Sequence, residues 1–80
     1  MPDPAPTRHL ALEEIRQDIA YVLDVEPAEV DLDEYLPYQG LDSLRVMQLV
    51  QRWREGGVEV TFVDLAERLT ARSWWEFLRG

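Results

Sequence analysis

The residues of this chain best suited to chemistry are Asp42 and Ser43, inside the run Gly40-Leu41-Asp42-Ser43-Leu44-Arg45. A serine hydroxyl can carry a phosphate ester, and the start of a helix is a good place to hold one. The first N–H groups there lack partners within the helix and stand at the positive end of the macrodipole. Asp42 suits the N-cap, where its carboxylate accepts from a first-turn N–H, and Leu41 before it can staple against Val46. Ser43 is then the first helical residue. On helix geometry alone, a serine that is simply acceptable in a first turn remains the simpler reading. No catalytic constellation competes with it: His9 stands alone with neither cysteine nor serine beside it, and no apolar setting separates the acidities of the carboxylates. His9 is expected to be solvent-exposed and without a role.

The element that must position Ser43 is the most regular amphipathic stretch in the chain, 43–55. At about 100° per residue, Val46, Leu49, Val50 and Trp53 share one arc, while Arg45, Gln48, Arg52 and Glu55 take the other side. Leu44 and Met47 fall outside the apolar arc and flank the serine, so they are expected at the surface. Gly56-Gly57 ends this helix, since glycine takes the left-handed conformation after a helix without a Cβ penalty.

Two further helices start with the same device. Thr61 caps 62–68, with Asp64 completing a capping box and Val60 stapling to Leu65. Thr70 caps the last helix, with Leu69 set against Trp74, and Trp74, Phe77 and Leu78 form its expected buried stripe. Earlier, Thr7 can cap a helix over 10–23, whose Leu12, Ile15, Ile19, Val22 and Leu23 make one apolar stripe. Met1 to Pro6, with three prolines, reads as a flexible tail, and 7–80 as one domain.

The connection 24–40 is long. Val25, Val30, Leu32, Tyr35, Leu36 and Tyr38 supply enough apolar surface to pin it across the bundle, so it is expected to be ordered. Asp31, Asp33 and Asp42 have the offsets of a calcium loop. That reading fails, because Tyr35 and Leu36 stand where a ligand and a glycine are required. No metal site is expected. Trp53 and Trp74 are expected in the core, and Trp75 at the bundle edge or against a partner. The fold class that results is all-α: a four-helix bundle with a long first loop and a short third helix.

The run Gly40-Leu41-Asp42-Ser43-Leu44-Arg45 resembles the modification site of thiotemplate carrier proteins, the phosphopantetheine-binding carrier family. In that family the serine receives a 4′-phosphopantetheine arm from coenzyme A. Arg45 two residues after the serine, with Met47, Leu49, Trp53-Arg54, Gly57, Val60-Thr61-Phe62, Leu65-Ala66-Glu67-Arg68 and Trp74-Trp75, resembles in particular the aryl carrier proteins of siderophore and other nonribosomal peptide pathways. The likeness runs from about residue 40 to the C-terminus. It implies an acyl-carrier-type bundle with no catalysis of its own, Ser43 as the attachment point beside Asp42, and 4′-phosphopantetheine as cofactor. The cargo would be an activated, aryl acid held as a thioester. The partners implied are a phosphopantetheinyl transferase, an adenylating enzyme, and a condensation or tailoring enzyme. Leu41, Leu44, Met47 and Phe62 would meet them as apolar contacts and Arg45 as a polar one, weakly, because one surface must serve several enzymes in turn. Leu69 departs from the family, which often has proline there. Peptidyl carriers usually show glycine and histidine or aspartate before the serine, and acyl carriers an acidic residue in place of Arg45, which sets the aryl reading above both.

Composition bounds the rest. Eighty residues make one small domain. The absence of cysteine excludes disulfides and thiolate metal sites, so a reactive thiol would have to come from a cofactor. No apolar run spans a membrane and no signal peptide is evident, so a cytoplasmic, monomeric protein is expected. Its start methionine and full helical set suggest a free-standing carrier. The net charge of -8 argues against nucleic-acid binding and for basic protein partners. All eight basic residues are arginine, and none lies between Arg16 and Arg45, where Asp24, Glu26, Glu29, Asp31, Asp33, Glu34 and Asp42 gather. The competing readings are a peptidyl or acyl carrier with another cargo, and an acidic helical adaptor that is never modified.

Overall fold

Local capping signals decide where three of the four helices begin, and the structure, a computed structural model describing residues 9–79, places them there. The helices are α1 (Leu12–Leu23), α2 (Ser43–Glu55), α3 (Phe62–Ala66) and α4 (Ala71–Leu78). Asp42 accepts from the Arg45 N–H, Thr61 from that of Asp64 and Thr70 from that of Ser73, each satisfying a donor the helix itself cannot. No strand occurs among the described residues, and the architecture is the expected all-α bundle.

α1 differs at its start. It begins at Leu12 behind Ala11, with the Glu14 carboxylate reaching back to the Ala11 N–H at 3.3 Å. Thr7 and the 1–6 tail lie outside the described residues. α3 is two residues shorter than its sequence pattern suggests. Its last turn tightens, with Arg68 N–H donating to Leu65 C=O, and the chain then extends into the Thr70 cap of α4.

The core is where the helical stripes meet. Ile15, Ile19 and Ala20 of α1, Val46, Leu49, Val50 and Trp53 of α2, Leu65 of α3, and Ala71, Trp74 and Leu78 of α4 are buried. α1 packs on α2 and α4, and α2 packs on α3. At the centre Trp53 and Trp74 meet edge to face, with ring centroids 5.9 Å apart, an arrangement the ring quadrupoles favour. Phe77, expected in the α4 stripe, is instead exposed, and Arg68 covers its ring from 4.0 Å. Ala71 is buried instead, on the same stripe as Trp74 and Leu78 at i, i+3 and i+7.

The long first loop is ordered, as expected, but by fewer apolar anchors than its sequence offers. Val30 and Leu36 are buried and Leu32 packs against the core, whereas Val25, Tyr35 and Tyr38 are exposed. Hydrogen bonds do the rest. Two short 3₁₀ turns, Pro27–Glu29 and Leu36–Gln39, break the loop into segments. Gln39 accepts from the Asp31 N–H and donates to the Asp31 and Glu34 carbonyls. Leu36 N–H donates to Leu69 C=O and Arg72 N–H to Leu32 C=O, tying the loop to the α3–α4 connection. Gly40 then turns the chain into α2 at φ 105°, a conformation that favours glycine.

The same tie carries an ion pair, Arg72 Nε to Asp33 Oδ1 at 2.6 Å. The Arg72 hydrogen bond outweighs the opposing effect of burial and, with a lesser contribution from the Arg72 charge, holds Asp33 below the ordinary carboxylate range. A depressed acidity constant contributes stability above the unfolded value and loses it as pH falls through the folded one. Thermal melts of Asp33→Asn against pH should therefore show a shallower acid limb than the parent below the usual carboxylate range, and no difference in slope near neutrality.

Candidate functional site

The amino end of α2 is assembled by three local bonds. Asp42 Oδ1 accepts from the Arg45 N–H at 2.9 Å, the Asp42 carbonyl accepts from the Val46 N–H at 3.0 Å, and Leu41 N–H donates back to Leu36 C=O at 3.2 Å. The last of these fixes where the loop enters the helix. The Arg45 amide, and secondarily its guanidinium, hold Asp42 below the usual carboxylate range, so it is an anion at neutral pH. Ser43 stands at the first helical position, exposed, and its hydroxyl has no hydrogen-bond partner among the described residues.

Ser43 and Asp42 edge a cleft of about 310 Å³, walled by Pro37, Leu41, Val46, Phe62 and Leu69. Loop, α2, α3 and the α3–α4 connection all contribute to it. A larger open hollow of about 490 Å³ lies farther along α2 beside Met47, Val50, Gln51, Arg54 and Glu55. It holds no nucleophile, and its Arg54 is committed to the Val60 carbonyl, so the smaller cleft is the chemically relevant one. No cluster of His, Cys, Asp and Glu able to hold a metal occurs among the described residues.

The expected contact residues separate into three groups. Leu44 and Met47 are exposed, 66% and 47%, on the same face as the serine, and Phe62 is half-buried at the cleft wall. Leu41 is a correction: at 4% exposure it belongs to the core, on the floor of the Ser43 cleft with Val46, and presents almost no surface to a partner. Arg45 is the third case, since its guanidinium is turned toward its own chain, bonding the Asp42 carboxylate and the Val22 carbonyl. Sequence reasoning missed Val63, exposed at 60%. Its signal was available: Val63 follows the Thr61 cap by two residues, as Leu44 follows Asp42.

The family model described as the phosphopantetheine attachment site matches residues 13–78. The chain belongs to that family. It is a carrier protein whose cofactor is covalently held 4′-phosphopantetheine. It is 48% identical to the acyl carrier protein ScoB of Streptomyces coeruleorubidus, over 94% of this chain and 85% of that protein. It is also 48% identical to the isochorismatase of Bacillus subtilis (strain 168), over 82% of this chain, and 44% identical to the phenyloxazoline synthase MbtB of Mycolicibacterium paratuberculosis (strain ATCC BAA-968 / K-10), over 78%. The carrier spans 21% and 5% of those two longer proteins, so the likeness concerns one segment of each. No solved structure matches. No helix among the described residues is long and apolar enough to cross a membrane.

Proposed function

We propose that Ser43 is the residue that carries the phosphopantetheine arm and that the cargo is an aryl acid. The observation that supports the site is the contrast between the two serines of the chain. Ser73 is half-buried in the Thr70 cap, donating to the Thr70 carbonyl and accepting from its hydroxyl. Ser43 is exposed and unengaged among the described residues, at a helix start whose free N–H groups suit a phosphate. The group therefore fits: Ser43 Oγ supplies the ester oxygen, and the apolar cleft beside it offers a wall for whatever the arm bears. Once bound, the arm supplies the thiol on which an acid is carried as a thioester.

The aryl cargo is supported by Arg45 two residues after the serine, by the Trp53-Arg54 and Trp74-Trp75 pairs, and by the similarity to a phenyloxazoline synthase. A non-aryl acyl cargo is the second reading, favoured by the name of ScoB. In either case the chain serves without catalysis of its own. A transferase installs the arm, an adenylating enzyme loads it, and a condensation or tailoring enzyme of nonribosomal peptide synthesis unloads it, with the cytoplasm as the site of action. Leu44, Met47, Val63 and Phe62 form the apolar surface offered to them.

Intact mass decides both parts. Incubation with coenzyme A and a promiscuous phosphopantetheinyl transferase should add one phosphopantetheine. The charged carrier should then gain a benzoic-type acid from an aryl-adenylating enzyme, and gain nothing from enzymes that activate amino or fatty acids. Transfer of a fatty or amino acid in place of the aromatic one would overturn the aryl reading and leave the carrier reading standing.

A further inference from the structure

Arg45 bridges two helix ends. α1 ends in the left-handed Asp24, whose N–H donates to Ala20 C=O and Tyr21 C=O, while the Val25 N–H takes Ala20 C=O as well. The next carbonyl, that of Val22, receives nothing from its own helix, and α1 has no basic residue in its last turn to balance the negative end of its dipole. Arg45, from the neighbouring helix, donates from Nε to that carbonyl at 3.0 Å. The same guanidinium donates from Nη1 to Asp42 Oδ2 at 2.9 Å, and the Arg45 backbone N–H takes Asp42 Oδ1. One residue thus caps α1 at its end and occupies both oxygens of the α2 cap, on either side of Ser43 in sequence.

We propose that Arg45 is a positioning residue: it holds the serine-bearing first turn of α2 against the carboxyl end of α1 and offsets the Asp42 charge next to the hydroxyl that takes up a phosphate. This rests on the reading of Ser43 as the attachment site. Asp42 would otherwise place an uncompensated carboxylate one residue from an incoming anion, and the first turn would be fixed to α1 by apolar packing alone. A planar, forked guanidinium holds a carbonyl and a carboxylate in one fixed geometry, whereas an ammonium, with three donors fanned from a single rotating atom on a shorter stem, holds the pair less firmly. The role differs from that of a partner contact, which would leave the guanidinium free to face outward.

The test compares the parent with Arg45→Met and Arg45→Lys, each checked for a cooperative melt. On the unmodified protein, carboxyl NMR titration of Asp42 should move part-way back toward the ordinary range in Arg45→Met, since the backbone bond remains, and amide exchange at Asp24 and Val25 should quicken. With coenzyme A and a promiscuous transferase, Arg45→Met should lower kcat about tenfold with KM within about twofold, because a misplaced nucleophile loses rate rather than binding. Arg45→Lys should recover part of that loss. A raised KM at unchanged kcat, with the titration and exchange unmoved, would overturn the proposal and return Arg45 to the partner surface. Full parental kcat in Arg45→Lys would overturn the two-ended bridge, and that variant decides alone if Arg45→Met fails to fold. Failure of the parent to accept any phosphopantetheine would count instead against Ser43, while the titration and exchange comparison would still test the bridge.

Discussion

Replacing Ser43 by alanine is expected to abolish the uptake of phosphopantetheine completely while leaving the fold almost untouched. The two halves of this result have separate causes. Alanine is the best helix former and the Ser43 hydroxyl contributes no hydrogen bond among the described residues, so the cap made by Asp42 survives and stability should change by no more than about 0.5 kcal/mol. The loss of modification should be total because the other described aliphatic hydroxyls are engaged. Thr61 and Thr70 accept from backbone N–H groups at their helix starts, and Ser73 is folded into the Thr70 network. Intact mass before and after incubation with coenzyme A and transferase reads the first half, and thermal melting reads the second. A mass gain that persists in Ser43→Ala would move the attachment to another residue. Absence of any gain in a folded parent would remove the assignment to Ser43 altogether.

What the sequence disclosed about this site, and what it withheld, follows from the range of the interactions. The starts of α2, α3 and α4 were legible because each depends on a residue and the N–H three positions later: Asp42 with Arg45, Thr61 with Asp64, Thr70 with Ser73. The start of α1 was not, since Ala11 has no side-chain acceptor and Glu14 alone closes the turn. Periodicity placed Val46, Leu49, Val50 and Trp53 in the core correctly, and put Leu44 and Met47 outside it, because α2 is long enough to express its period. In α4, eight residues long, the same reasoning put Phe77 inside and overlooked Ala71. Ala71 shares the stripe of Trp74 and Leu78, but hydrophobicity alone does not single out a residue so small.

The role of Arg45 was beyond sequence reasoning for a different reason. Its partner, the Val22 carbonyl, lies 23 residues away and belongs to the backbone, which has no sequence signature. The Asp18 carboxylate is a similar case. It sits on the polar side of α1 by periodicity, yet it accepts from Trp53 Nε1 at 2.8 Å and pairs with Arg52, which makes it the anchor of the α1–α2 seam.

Trp74→Ala is expected to be the most damaging single substitution in the protein, costing about 3–5 kcal/mol. The ring is fully buried, meets Trp53 edge to face, and donates from Nε1 to the Leu65 carbonyl at 3.0 Å. That bond is the reason to place Trp74 above Trp53, because α3 has only five residues and too little length to persist without tertiary support. Removal of the indole opens a cavity at the centre of the core and leaves the Leu65 carbonyl with only its local Arg68 N–H donor, so the hydrogen bond that ties α3 to α4 is lost. Domains of this size bury only about 60% of their unfolded surface and sit toward the low end of the usual 5–15 kcal/mol range, so the loss takes most of the available stability. Near-ultraviolet circular dichroism of Trp74→Ala should lose its aromatic signal at 25 °C, while the far-ultraviolet helical signal falls less. Trp74→Phe keeps an aromatic edge against Trp53 but not the donor, and should fall between the two. A cooperative melt of Trp74→Ala close to that of the parent would show that α3 is held by Leu65 and its Thr61 cap alone. The Phe62 wall of the Ser43 cleft would then be independent of the Trp74 side chain.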